Sequence, residues 1–300
     1  VNRIAHLALP PLKGEVAYDA SLAPYSWFRV GGNADLLFKP EDEADLAAFL
    51  VALPSDIPLL ILGLGSNLLV RDGGFRGAAI KLGKGFQSIT VEGDHTIRAG
   101  AGAADVKVAR MAAEAGIAGL AFLRGIPGTI GGALRMNGGA YGGETRDVLI
   151  CACGLDRAGG VHTFDQAEMG FSYRHCSVAD DIIFTEALFK GRPGDPGTIL
   201  EEMNAITEAR SATQPVNTRT GGSTFRNPDG VKAWELVDRA GLRGFRIGGA
   251  EVSPLHTNFL VAHEGATASN IEALGEEMRR RVFEQSGIQL DWEIKRVGEP

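Results

Sequence analysis

Three hundred residues, 44% hydrophobic and 22% charged, are ordinary globular usage, with length for two or three compact units and a sizeable core. A net charge of -7 argues against a broad nucleic-acid surface, so an anionic ligand must be held by local arginines and amide dipoles. No run of about 18 apolar residues occurs, and residues 1–10 carry one Arg, no sustained apolar stretch and no small-residue cleavage site, which argues against membrane spanning and secretion. Cys151, Cys153 and Cys176, few and odd in number, suit free thiols in a reducing compartment. The expectation is a cytoplasmic protein with small-molecule partners, no nucleic acid, no membrane and no obligate protein partner.

In chain order, residues 35–39 read as a short strand stopped by Pro40, and 41–53 as a helix with Leu46, Phe49, Leu50 and Leu53 on one face. A buried strand at 58–62 runs into Gly63-Leu64-Gly65-Ser66-Asn67, after which 68–70 and 78–82 resume the extended pattern. Strands at 88–92 and 96–99 precede a helix over 103–115 that Gly116 ends in a left-handed conformation. Residues 125–143 are too glycine-rich for regular structure, and strands follow at 148–155, 161–164 and 181–190. Residues 192–197 break the chain, and a helix over 198–210 follows. Then come a helix over 233–240 ended by Gly241, a strand at 258–262, an amphipathic helix over 269–285 capped by Ser269 or Thr267, and a final strand at 289–296. Helices and strands mix without regular parallel alternation, which predicts an α+β fold. The predicted domains are 1–195, in two subdomains divided near 85, and 196–300.

The 41 glycines exceed the average share of about 7% and gather in particular loops. Gly63-Leu64-Gly65-Ser66-Asn67-Leu68 starts like a dinucleotide fingerprint, but Leu68 stands at the third glycine position. Gly100-Ala101-Gly102-Ala103-Ala104-Asp105 fails at the same place, and no Gly-Lys-Ser/Thr follows either one. What survives is physical: consecutive glycines let amides converge on an anion, and Ser66 and Asn67 add side-chain donors. Gly125-Ile126-Pro127-Gly128-Thr129-Ile130-Gly131-Gly132 lets the chain lie against a flat or charged ligand, and Asn137, Gly139, Ala140, Tyr141 and Gly142 continue that surface. For either loop alone a tight turn explains the glycines as well as a ligand does; two such loops favour the ligand.

These stretches resemble the flavin-binding signatures of the UDP-N-acetylenolpyruvoylglucosamine reductase family. Phe171-Ser172-Tyr173-Arg174, Gly222-Ser223-Thr224-Phe225-Arg226-Asn227-Pro228, His256-Thr257-Asn258-Phe259 and Glu293 recur in family order, so the resemblance covers roughly residues 25–297. It implies a two-subdomain FAD-binding fold of the vanillyl-alcohol-oxidase (PCMH) type, followed by an α+β substrate domain whose last strand returns Glu293 to the active site. It also implies non-covalent FAD, held by Gly63, Gly65, Ser66, Asn67, Leu68, Gly125, Pro127, Gly128, Thr129, Gly132, Asn137, Gly139, Ala140, Tyr141 and Gly142. NADPH and UDP-N-acetylenolpyruvoylglucosamine are the implied substrates, with Tyr173, Asn227 and His256 as substrate contacts. The 49-residue separation of Arg174 and Ser223 implies the shorter subclass.

Adding hydride to an enolpyruvyl ether pushes negative charge onto the neighbouring carbon and its carboxylate; that charge must be stabilised and a proton supplied. The resemblance assigns Arg174 to the charge, Ser223 to the proton and Glu293 to the enolate-like intermediate. An FAD oxidase of the same fold and a cofactor-binding module without turnover are the rival readings. A metal site from Cys151, Cys153, His162, His175 and Cys176 lacks the usual CxxC spacing, so no metal is expected. Trp292 stands where the family often has Pro, and His263 where Asn is frequent.

Overall fold

The apolar run expected at 35–39 forms the strand Asn33–Lys39, buried from Ala34 to Phe38. The computed structural model describes Ile4 and residues 7–300; Val1, Asn2, Arg3, Ala5 and His6, part of the stretch weighed above for a leader, lie outside the described residues. Asn33–Lys39 belongs to a four-stranded sheet in the order Glu15–Ser21, Asn33–Lys39, Phe75–Lys81, Leu59–Leu62. Helix α1 (Glu43–Ala52) begins where the Asp42 carboxylate accepts the Asp45 amide, and it lays Phe49 4.4 Å from the Phe38 ring. The change to a second sheet falls at the short turn Lys84–Phe86. That sheet is antiparallel, in the order Val161–Asp165, Leu149–Leu155, Ile183–Lys190, Thr96–Gly100, Ile89–Glu92. Helix α2 (Asp105–Glu114) buries Val108, Ala109, Ala112 and Ala113, and Gly116 follows it with φ +68°.

Residues 125–143 are not irregular throughout, as their glycine content predicted. Ile130–Met136 is a helix, α3, with Ile130, Ala133 and Leu134 buried at helical spacing and Asn137 in the left-handed conformation after it. Burial of that stripe outweighs the propensity cost of Gly131 and Gly132.

The chain divides into two compact units, one of Val1–Tyr18, Leu36–Leu64 and Gly77–Ala209, the other of Asp19–Asp35, Gly65–Arg76 and Arg210–Pro300. This differs from a single cut at 195. The break after Ala209 falls inside helix α4 (Pro196–Thr213), whose Ile199, Met203 and Ile206 pack into the first unit's core. Two early segments join the second unit, where Leu68–Val70 pairs in parallel with Lys295–Val297.

The second unit holds an antiparallel sheet in the order Thr220–Ser223, Phe259–Ala262, Ala250–Val252, Arg246–Ile247, with helices α5 (Ala233–Arg239) and α6 (Ala268–Ser286). Thr267 caps α6 through a reciprocal box with Asn270, while the Ser269 hydroxyl donates to Asp72. Phe28, Leu69, Phe225, Leu260, Ile271 and Leu274 form its core. The strand expected at 289–296 shrinks to Lys295–Val297, and Trp292 makes a single bridge to Phe225. Glu293 lies outside any strand because its backbone is spent elsewhere: its N–H donates to Thr224 O at 2.8 Å, and its carbonyl accepts from the Asn67 side chain at 3.1 Å.

Candidate active site

In the first unit the glycine loop 125–132 is held from behind by the turn before α2. Ile130 N–H donates to Ala103 O at 3.0 Å, Gly131 N–H to Ala101 O at 2.9 Å, and Asp105 N–H to Gly128 O at 3.1 Å. Asp105 is fully buried and neither carboxyl oxygen has a side-chain or backbone partner by hydrogen-bond geometry, though Oδ2 lies 2.8 Å from where a Gly128 Cβ would stand. Burial holds its pKa well above the ordinary carboxylate value, with the nearby Gly128 amide opposing. Gly63 meets this loop at Thr129, whose hydroxyl is 2.8 Å from a Cβ placed on Gly63 and 3.8 Å from one on Gly132. The Lys81 ammonium donates to Gly63 O at 2.5 Å, and burial lowers its pKa. Sequence reading missed Lys81, which ends a strand with no motif around it, and passed over Asp105, the last residue of the 100–105 stretch that fails the dinucleotide pattern.

Several glycines of these loops make room for neighbours. A Cβ on Gly125 would stand 2.7 Å from the Tyr141 ring, and one on Gly139 2.7 Å from Glu144. Asn137 is buried with its amide spent: Nδ2 donates to Glu144 Oε2 at 2.9 Å and Ser172 O at 3.1 Å, and Oδ1 accepts the Arg146 N–H at 3.0 Å. It therefore joins the loop to the turn that carries Arg174. In that turn Ser172 and His175 exchange backbone hydrogen bonds at 3.2 Å each way, and Arg174 has φ +53°. The Arg174 guanidinium donates to Gly139 O at 3.1 Å and stands 5.1 Å from the Tyr173 ring. Tyr141, Tyr173 and Gly142 are at the surface of this unit, with open space beyond Gly142.

In the second unit, the segments that carry Ser66, Asn67, Ser223 and Glu293 come together. Lys295 N–H donates to Asn67 O at 3.1 Å, the Ser26 hydroxyl to Leu68 O at 2.9 Å, and a Cβ on Gly222 would lie 3.5 Å from Ser66 O. Buried Asn258 pins the segment after Ser223: its carbonyl accepts Thr224 N–H at 2.7 Å, its Oδ1 accepts Phe225 N–H at 3.0 Å, and its Nδ2 donates to Phe225 O at 2.9 Å. His256 is half-buried, accepts the Asn258 N–H on Nδ1 at 3.3 Å, and has its pKa lowered chiefly by burial. Asn227 is exposed, and its Oδ1 accepts Ala233 N–H at 3.0 Å, at the start of α5. Asn258 had been quoted only as part of a motif; its anchoring role appears only in three dimensions.

In the first unit a Cβ on Gly132 would meet only the Thr129 hydroxyl, at 3.8 Å, and one on Gly142 nothing within 4 Å, an open backbone face that fits a cofactor bound through amide groups. Among the described residues no cluster of three or more His, Cys, Asp or Glu could hold a metal ion, and no helix is long and apolar enough to cross a membrane.

Residues 34–164 match the FAD binding domain family model, and residues 214–297 match the C-terminal domain of UDP-N-acetylenolpyruvoylglucosamine reductase. The fold is also like that of 6-hydroxy-D-nicotine oxidase from Arthrobacter nicotinovorans, with a TM-score of 0.62 at 15% identity over 95% of this chain and 90% of that one. The protein is thus an FAD-dependent oxidoreductase, and its fold is α+β of the vanillyl-alcohol-oxidase type. Two curated relatives named UDP-N-acetylenolpyruvoylglucosamine reductase, from Parvibaculum lavamentivorans and Azorhizobium caulinodans, are each 60% identical, over 97% and 98% of this chain and 93% and 95% of theirs. The crystal structure of the reductase from Thermus caldophilus matches with a TM-score of 0.82 at 33% identity, covering 96% of this chain and all of that one. The chain belongs to the UDP-N-acetylenolpyruvoylglucosamine reductase family.

Proposed function

We propose that the chain reduces UDP-N-acetylenolpyruvoylglucosamine to UDP-N-acetylmuramate, a peptidoglycan precursor, with NADPH as the electron source. Bound FAD, held by the glycine loops named above, would carry hydride from one substrate to the other. Arg174 places a permanent cation for the enolpyruvyl carboxylate, whose charge grows as hydride adds to the terminal carbon. The Ser223 hydroxyl donates the proton that neutralises the adjacent carbon; a serine does this only for a strongly basic acceptor. Glu293 stabilises the enolate-like state, and Tyr173, Asn227 and His256 contact the UDP-sugar. Residues 196–300 act as the substrate-binding part and the earlier residues as the FAD-binding part.

The observation that carries this reading is the tie between the segments of Ser223 and Glu293, where Glu293 N–H donates to the carbonyl of Thr224, the residue after Ser223, and the Asn67 side chain donates to Glu293 O. Anaerobic stopped-flow absorbance tests it: NADPH should bleach the flavin and the enolpyruvyl substrate should restore it. Ser223→Ala should leave the bleaching intact and slow the restoration by about 10²–10⁴-fold. An unrestored spectrum in the unaltered protein would remove the substrate assignment, and equal slowing of both phases would remove the role of Ser223.

A further inference from the structure

Lys81 closes the strand Phe75–Lys81 level with Leu62, its partner in the parallel pair with Leu59–Leu62, so both strands end together where Gly63 opens the glycine turn. The carboxyl ends of neighbouring parallel strands are where open sheets take their ligands. The half-buried Lys81 ammonium has three N–H donors, and the bond it makes within the protein is to Gly63 O at 2.5 Å. No carboxylate among the described residues is within ion-pair reach of it. Lys13, Lys39 and Lys190, by contrast, face Asp42, Glu15 and Asp94 at 2.6–2.9 Å. Burial lowers the Lys81 pKa with no neighbouring charge to oppose it, the mark of a cation moved out of water without a counter-charge.

Gly63 borders a second unspent donor. Thr129 is only 4% exposed, its hydroxyl stands 2.8 Å from a Cβ placed on Gly63, and it has no hydrogen-bond partner among the described residues. Next to that hydroxyl the backbone of Gly132 is open, since a Cβ there would meet nothing else within 4 Å. A spare ammonium, a spare hydroxyl and a bare backbone face thus surround one glycine, a donor set for an anion with several acceptor oxygens. We propose that Lys81 binds the diphosphate of FAD, with its ammonium bridging the carbonyl of Gly63 and a phosphate oxygen. This rests on the reading that the glycine loops hold FAD. A residue kept only to brace the turn would need one N–H and no charge, and a neutral amide would serve as well.

The test uses the full chain freed of FAD, as the native protein and as Lys81→Gln, Lys81→Met and, as a reference for the loops, Gly132→Leu. FAD affinity is read from flavin fluorescence, the diphosphate from phosphorus NMR of bound FAD, and stability of the FAD-free protein from thermal melts. Loss of one hydrogen bond to a charged group should weaken FAD by about 10- to 100-fold in both Lys81 variants. The phosphorus resonances of bound FAD should move in both, and the FAD-free variants should melt at or above the native temperature, because an uncompensated charge has been removed. Gly132→Leu, which fills the open face, should bind FAD at least about tenfold more weakly. If Lys81→Gln binds FAD within twofold of the native protein with unmoved resonances while Gly132→Leu loses it, Lys81 is not on the diphosphate and the proposal fails alone. If Lys81→Met loses FAD but Lys81→Gln keeps it, Lys81 braces the turn and the proposal also fails. If Gly132→Leu binds FAD as the native protein does, the loop reading fails and the proposal with it.

Discussion

Gly65→Ala is the sharpest perturbation of the turn 63–67, which we propose holds FAD. Gly65 has φ +69°, and a Cβ there would stand 1.9 Å from the carbonyl oxygen of Tyr25, a backbone atom with no rotamer to give way. The left-handed conformation costs an L-residue roughly 1–2 kcal/mol, and forcing an atom into occupied space costs roughly 1–3 kcal/mol more. We expect a loss of about 3 kcal/mol, and a fall in Tm of roughly 6–12 °C at about 2–4 °C per kcal/mol. The Trp27 N–H to Gly65 O bond, 3.0 Å, should break as the turn moves, taking Ser66 and Asn67 with it. FAD affinity, read from flavin fluorescence on titrating the apoprotein, should drop by at least tenfold. Gly93→Ala is the control, since a Cβ at Gly93 meets nothing within 4 Å. A Gly65→Ala protein that melts within a degree of the parent and binds FAD within twofold would refute the reasoning.

Two ionisable groups should leave opposite signatures in stability against pH. Asp105 has its folded pKa raised, so the unfolded chain gives up its proton first and stability falls as pH rises above the unfolded value near 3.8. Asp105→Asn should therefore gain in Tm relative to the parent as pH goes from 5 to 8; a constant difference would show that the carboxyl is not held neutral. His256 has its folded pKa lowered, so stability is lost as pH falls through the unfolded value near 6.5, and His256→Gln should flatten that acid limb in thermal melts. Asn258→Ala leaves Phe225 N–H and O buried without partners, which should cost about 2–5 kcal/mol in urea unfolding. A loss under about 1 kcal/mol would mean that water replaces the amide.

Much of the secondary structure could be read from local pattern. Leu68–Val70 and the start of α6 follow from apolar runs and a capping threonine. Glu15–Ser21 was missed because its alternation is weak, with no fully buried residue among the seven. Helix α3 was missed because glycine propensity was weighed over the Ile130, Ala133, Leu134 stripe and over an asparagine suited to ending a helix. The glycine loops were visible, yet what each glycine makes room for was not: Gly125 admits a tyrosine ring, and Gly275, which drew no notice, admits a tryptophan. Contacts such as Asn67 with Glu293, 226 residues apart, leave no mark in a local pattern. Trp292, which stands where the family often has Pro, is packed and hydrogen-bonded on several sides.

The alternation of the chain between its two units constrains how the protein can be cut and made. Because the boundary is crossed after Tyr18, Asp35, Leu64, Arg76 and Ala209, no single cleavage or truncation yields either unit whole. A ribosome reaches residue 297 long after releasing residues 68–70, so the strand beside the cofactor turn must wait for a partner more than two hundred residues downstream. Until then Leu68–Val70 is an unpaired apolar edge in a nascent chain, open to wrong pairing during synthesis.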